Sequence, residues 1–143
     1  MILVDANILL HAYNTGSARH DAARAWWEEQ LSGTRLVRVS WVAVLTFLRI
    51  GTLPRVFTSP MSVDEACDHV DRWWEQPVFG VLEPTERHWA VFSELVRTAQ
   101  ATGNLVTDAH LAALAIEHGA TLASTDQDFR RFDGLTWTNP LAP

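Results

Sequence analysis

Three aspartates in this 143-residue chain stand where carboxylates could act together. Asp5 directly follows a short apolar run at residues 2–4, and Asp126 follows a similar run at residues 121–124, while Asp108 opens the predicted helix just before that second run. Clustered carboxylates repel one another unless a cation neutralises them. Ligation by oxygen alone favours Mg²⁺, for which Mn²⁺ can substitute. Such ions catalyse phosphodiester hydrolysis by activating water and by stabilising the charge that develops on phosphate.

Each aspartate also has a purely structural interpretation. Asp5 and Asp126 could cap helices or close Asx turns, and Asp108 could be a first-turn acid that complements the helix dipole. We favour a shared site because three acids would not often reach one edge of a sheet by chance. Asp128 is a further candidate ligand, although it could equally face solvent.

Short apolar runs alternate with helical patterns along the chain, which predicts an α/β fold with a parallel sheet covered on both faces. The predicted strands lie at residues 2–4, 36–39, 78–82, 121–124 and 135–138. Thr85 is expected to open a helix that ends at Gly103, and Thr107 to open the next one. If the first and fourth strands are neighbours, Asp5 and Asp126 meet at the carboxyl edge of the sheet, where such folds bind ligands. With no repeat or linker-like stretch, we expect one domain over residues 1–143.

The composition is that of a soluble globular protein, with 48% hydrophobic and 20% charged residues. Its single cysteine excludes an intramolecular disulfide and suits a reducing compartment. No uncharged run is long enough to span a bilayer, and no basic region precedes an apolar N-terminal core. We therefore expect a cytoplasmic protein with no membrane partner.

The charge of the chain limits the chemistry it can perform. The formal net charge is -6, so there is no general basic footprint for nucleic acid, although a bound cation would reverse the field locally. All eleven basic side chains are arginine. Any phosphate contact must then come from arginine, and Arg49, beside the expected edge of the sheet, is the best candidate. The lack of lysine excludes phosphoacceptor receiver domains and aspartate-nucleophile phosphatases, which rely on one.

Three ordered motifs resemble those of PIN-domain nucleases, and more narrowly VapC-type toxins of toxin–antitoxin pairs. They are Val-Asp-Ala-Asn-Ile-Leu-Leu at residues 4–10, Leu-Val-Thr-Asp-Ala-His-Leu-Ala-Ala-Leu-Ala at 105–115 and Ser-Thr-Asp-Gln-Asp-Phe at 124–129. The resemblance implies a PIN-like three-layer sandwich around a five-stranded parallel sheet. It implies a Mg²⁺-dependent endoribonuclease with Asp5, Asp108 and Asp126 as catalytic metal ligands. It also implies a VapB-like antitoxin with an arginine-bearing tail, and we expect a homodimer.

Two residues qualify this resemblance. Asn7 matches the polar residue that often follows the first acid by two; its amide could orient Asp5 or a bound water, or it could cap the helix that follows. Thr46 stands where the family usually has a glutamate, and its hydroxyl offers only a neutral oxygen. This departure predicts weaker metal binding and leaves one-metal and two-metal mechanisms open. It also keeps an alternative open, a PIN-like binding module with weak or lost catalysis that acts through a protein partner.

The histidines and tryptophans give weaker signals. None of the six histidines pairs with a Cys or His partner at zinc-ligand spacing, and only His110, close to Asp108, is considered as a substrate contact. Neighbouring residues on a helix point about 100° apart. In each of the adjacent pairs Trp26/Trp27 and Trp73/Trp74, one member is therefore expected to be exposed, which suits a protein interface. Alternatively, wide apolar stripes on the helices bury both members of a pair.

Overall fold

A computed structural model describes residues 1–142 and contains one sheet of five parallel strands. The strands are β1 (Ile2–Val4), β2 (Val37–Val39), β3 (Phe79–Val81), β4 (Thr121–Ala123) and β5 (Trp137–Thr138). Their order across the sheet is β3-β2-β1-β4-β5. The chain thus builds the sheet outward from β1 in one direction and then returns to place β4 on its other side. The predicted pairing of the first and fourth strands is confirmed, and the switch in strand order lies between them.

Six α-helices and a short 3₁₀ helix at Gln127–Arg131 connect the strands. The α-helices are α1 (Ala6–Tyr13), α2 (His20–Ser32), α3 (Trp41–Gly51), α4 (Val63–Trp74), α5 (His88–Ala99) and α6 (Asn104–His118). Two predicted helix starts were wrong. Helix α6 begins directly after Gly103, whose φ of 58° lies outside the helical region, so Asp108 occupies the second turn of the helix and not its start. Helix α5 begins at His88, and Thr85 lies in the turn before it, where its hydroxyl accepts a hydrogen bond from the Arg87 amide at 3.2 Å.

The strand β1 separates two hydrophobic cores. Its side chains alternate between faces, so Ile2 and Val4 pack with α1–α4 while Leu3 packs with α5 and α6. All three side chains are at most 2% exposed. Two helical layers around a central parallel sheet form the three-layer sandwich that the sequence predicts.

Local sequence fixes the helices that carry side chains toward the carboxyl edge. Ser40 follows β2, is buried, and caps α3 by accepting a hydrogen bond from the Ala43 amide at 3.0 Å.

In the second tryptophan pair Trp73 is buried and Trp74 is 48% exposed, as expected. In the first pair Trp27 is buried and Trp26 is only partly exposed. None of the helices in residues 1–142 has the length and apolar character needed to cross a membrane.

Candidate active site

An open cleft of about 510 Å³ lies at the carboxyl edge of the sheet, and three aspartates line it. Asp5 and Asp126 come from the ends of neighbouring strands β1 and β4, whereas Asp108 projects from α6. Thr46 and Arg49 of α3 also line this cleft. We call the cavity bounded by these five residues the acidic cleft. The structure therefore brings the predicted acids to one place from three separate parts of the chain.

Asp5 is both a helix cap and a wall of the cleft. Its Oδ1 atom accepts a hydrogen bond from the Ala6 amide at 2.7 Å, which caps α1, and its Oδ2 atom accepts one from Ser124 Oγ at 2.7 Å. Burial raises the pKa of Asp5, the two hydrogen bonds partly offset that rise, and the nearby charge of Asp126 adds to it. Asp5 thus caps α1 and lines the cleft at the same time.

Ser124 is a residue of the candidate site that the sequence analysis missed. It is fully buried, and besides bonding Asp5 its Oγ atom accepts hydrogen bonds from Asn7 Nδ2 at 3.1 Å and from the Asp126 amide at 3.0 Å. Asn7 therefore orients Asp5 through Ser124 and not directly. Its alternative role as a helix cap is wrong, since Asp5 takes that place and Asn7 lies inside α1. The available signal was a serine directly after β4, two residues before an acid.

Asp126 and Asp128 occupy different environments. Asp126 caps the 3₁₀ helix by accepting a hydrogen bond from the Asp128 amide at 2.9 Å. Asp128 itself is exposed and is not among the residues that line the acidic cleft. Its charge nevertheless reaches the site, because it contributes to the raised pKa of Asp108. Asp128 is thus placed beside the cleft, outside the group formed by the other three acids.

Asp108 carries the least compensated charge of the site. Its carboxylate accepts no hydrogen bond from any residue in 1–142, unlike those of Asp5 and Asp126. Burial and, in decreasing order of importance, the charges of Asp126, Asp5 and Asp128 together raise the pKa of Asp108 to about 6. An acid that resists ionisation beside two other acids indicates a place where a cation would bind favourably.

The chemistry of these donors fits a hard divalent cation, which takes carboxylate oxygens as ligands. Their arrangement is nonetheless open: within the described part of the chain, no three Asp, Glu, His or Cys side chains converge closely enough to enclose a metal ion as they stand. Thr46 contributes a neutral hydroxyl to the same wall. The cleft therefore offers suitable ligand types without a closed, preformed ligand set.

Arg49 supplies positive charge at the rim of the cleft. It follows Thr46 by three residues on α3, a spacing that puts both side chains on one face of the helix. It is exposed and forms no ion pair with any residue in 1–142. Its guanidinium is thus free to bind an anionic group that enters the cleft.

Comparison with known proteins places this architecture in a family. A family model for the PIN domain matches residues 2–135. The chain belongs to the PIN-domain family. Within that family it belongs to the VapC group: Ribonuclease VapC37 of Mycobacterium tuberculosis is 40% identical over 142 residues, and the match covers 99% of each chain. Ribonuclease VapC33 of the same species is 38% identical, again over 99% of each chain.

Solved structures share the fold of this PIN domain. The structure of VapBC-1 from nontypeable Haemophilus influenzae superposes with a TM-score of 0.71 at 18% sequence identity, covering 99% of this chain and 100% of that one. The PIN-like fold that the sequence predicts is therefore confirmed, and the full-length relatives confirm the resemblance of the sequence motifs to VapC proteins. A single domain over residues 1–143 stays a prediction.

Proposed function

We propose that this PIN domain is a divalent-metal-dependent endoribonuclease that acts as the toxin of a type II toxin–antitoxin pair. The observation that carries the proposal is the convergence of Asp5, Asp108 and Asp126 on one cleft in a chain whose full-length relatives are named Ribonuclease VapC. The catalytic roles of these acids are part of the proposal.

The three acids would hold the metal ion, with Mg²⁺ as the natural ion and Mn²⁺ as a substitute. A divalent ion there supplies an activated water for attack and positive charge for the phosphate oxygens. Asp128, outside the cleft wall, would contribute its charge and not a direct ligand. Because Thr46 adds no charge where the family resemblance predicts a glutamate, we expect weaker metal binding than a fourth acid would give.

The remaining residues of the site position these groups. Ser124, held by Asn7, fixes the carboxylate of Asp5, and its hydrogen bond partly offsets the rise in the pKa of Asp5 that burial causes. Arg49 would bind a phosphate of the RNA at the rim. Among the described residues that line the cleft, no serine or cysteine is bonded to a histidine, so a covalent nucleophile of that type has no support. Attack by water predicts 5′-phosphate and 3′-hydroxyl ends.

Cleavage of RNA by the purified protein tests this function. We expect cleavage of total RNA in Mg²⁺ or Mn²⁺, none in EDTA, and none by Asp5→Asn in any of these conditions. The control is Asp68→Asn, an exposed carboxylate on α4 that should leave the rate unchanged. Cleavage that persists in EDTA or in Asp5→Asn would contradict the proposal.

The open ligand arrangement and Thr46 favour one alternative, a PIN-like binding module with weak or lost catalysis. That module would act through a protein partner and would need no metal. A wild-type protein that binds its partner yet leaves RNA intact at every Mn²⁺ concentration would support the alternative over the nuclease.

The partners follow from the charge of the site. An acidic cleft with the uncompensated carboxylate of Asp108 suits a basic peptide, so a VapB-like antitoxin with an arginine-bearing tail would block it. Exposed apolar side chains on α3, Trp41 at 49% and Leu45 at 62%, support a homodimer. Failure of the antitoxin encoded beside this chain to bind or inhibit the purified protein would contradict the toxin assignment. Sedimentation as a monomer at micromolar concentration would contradict the dimer.

A further inference from the structure

A chain of hydrogen bonds runs from Glu117, near the C-terminal end of α6, to the acidic cleft. The side chain of Glu117, two turns after His110 on the same helix, is completely shielded from solvent. It accepts hydrogen bonds from the Thr85 amide at 2.9 Å and from Thr85 Oγ1 at 2.6 Å, and its other oxygen bonds His88 Nδ1. These bonds outweigh burial, which would raise the pKa of Glu117, and lower that pKa below its usual value. A buried carboxylate held in this way remains an acceptor.

His88 links this carboxylate to the cleft. Its Nε2 atom lies 2.9 Å from His110 Nδ1, with the two rings nearly perpendicular at 78°. The ring of His88 is also stacked on Phe92, with an interplanar angle of 10°. Both nitrogens of His88 are therefore engaged, and its orientation is fixed by contacts on three sides.

His110 is the end of this chain, and it lines the acidic cleft together with Asp108. Its Nδ1 atom is occupied by His88, whereas its Nε2 atom has no hydrogen-bond partner among residues 1–142. A ring whose orientation is fixed on one side and whose second nitrogen is free at a cleft has the arrangement of a ligand-binding histidine.

We propose that His110 contacts the RNA substrate through its Nε2 atom, and that His88 and Glu117 are positioning residues that hold its ring in that orientation. This inference rests on the proposed ribonuclease function and adds a substrate contact on the α6 side of the cleft. The contact forms to the bound RNA and not to the metal ion, so it contributes to substrate affinity.

Substitution of His110 by an amide side chain distinguishes the contributions of its two ring nitrogens. The amide of asparagine lies near the position of Nδ1, so His110→Asn keeps the bond to His88 and loses the contact in the cleft. The amide of glutamine reaches the position of Nε2, so His110→Gln restores that contact. His118→Asn is the matched control, because His118 is on the same helix and bonds the exposed Glu83 carbonyl outside the cleft.

Steady-state cleavage of randomised 20-nucleotide RNA in Mn²⁺ gives the first readout. One net hydrogen bond corresponds to about a 3- to 10-fold change in an equilibrium constant. We expect His110→Asn to raise KM by that factor with kcat nearly unchanged, and His110→Gln, which regains the contact but loses the bond to His88, to return KM part of the way. Glu117→Gln should raise KM by about 2- to 3-fold through loss of ring orientation. His118→Asn should leave both constants unchanged.

A binding measurement keeps the inference independent of catalysis. The same RNA, labelled with fluorescein, is titrated onto Asp5→Asn with and without His110→Asn, and anisotropy should show weaker binding by the same factor in the double variant. Wild-type protein that fails to cleave RNA refutes the proposed function, while this arm still tests His110. Melting temperatures identify any variant that does not fold. If His110→Asn does not fold, the change in KM of Glu117→Gln tests the inference.

Two results would overturn the inference. Equal KM and equal RNA affinity for wild type and His110→Asn would show that no contact is lost. A higher Mn²⁺ concentration for half-maximal cleavage in His110→Asn, with KM for RNA unchanged, would show that the histidine serves the metal and not the substrate.

Discussion

Neutralising Asp108 should make the metal-free protein more stable and inactive at the same time. In the wild type, ionisation of this carboxyl is opposed by burial and by three nearby acids, which raise its pKa from 3.8 to about 6. Asp108→Asn removes that charge and keeps the size of the side chain. The variant imitates the protonated acid, which is the form that the folded cleft favours.

The size of the effect follows from linkage. A shift from 3.8 to about 6 corresponds to at most about 3 kcal/mol. Because the carboxyl is partly exposed to solvent, screening reduces this to roughly 1–2 kcal/mol. Since the folded state holds this proton more tightly than the unfolded state, its stabilising effect is complete below about pH 4 and is lost as the pH rises through about 6.

The assay is thermal unfolding of both proteins in EDTA from pH 4 to pH 7.5. Near pH 4 the two melting temperatures should be close, and at pH 7.5 the variant should melt about 3–6 °C higher. Asp68→Asn, which removes an exposed carboxylate from α4, controls for net charge and should show no such divergence. Equal or lower stability of Asp108→Asn at every pH would refute charge repulsion in the cleft.

Three further predictions concern the same site. Thr46→Glu should bind Mn²⁺ about 3- to 10-fold more tightly and lower the metal-free melting temperature, because a fourth carboxylate enters the cleft; unchanged values in calorimetry and melting would place Thr46 outside the metal site. Ser124→Ala should cost about 1–3 kcal/mol in urea unfolding, since Asp5 and Asn7 lose their buried partner, and a loss no larger than that of the exposed Ser59→Ala would contradict this. Cleaved RNA should carry 5′-phosphate ends that can be ligated, whereas 2′,3′-cyclic phosphates would require attack by the RNA itself and would exclude the proposed chemistry.

The sheet and the acidic cleft could be predicted because both follow from repeated patterns. Strand runs separated by helices imply parallel order, and parallel order brings the residue after each strand to one edge. Asp5 and Asp126 satisfy that rule directly. Asp108 was correctly assigned to the cleft by family resemblance, although its position on α6 was misjudged.

Contacts between distant single residues could not be predicted in this way. Ser124 is one hydroxyl without periodicity, and its three partners become apparent only when β1 and β4 are paired. The bond between His88 and Glu117 depends on how α5 packs on α6, and no local spacing encodes it. The end of α5 was misplaced for a related reason: Gln100, with φ of 51°, takes the left-handed position expected of Gly103.

Calorimetric titration with Mn²⁺ tests the central claim most directly, because it measures the metal site without requiring the correct RNA. The wild-type protein should bind Mn²⁺ and release protons at pH 6, where Asp108 is partly protonated. Binding should be lost or weakened at least tenfold in Asp5→Asn, Asp108→Asn and Asp126→Asn, and retained in Asp68→Asn. A wild-type chain that binds no Mn²⁺, or three cleft variants that bind it as tightly as the wild type, would contradict the account of these acids as the metal site.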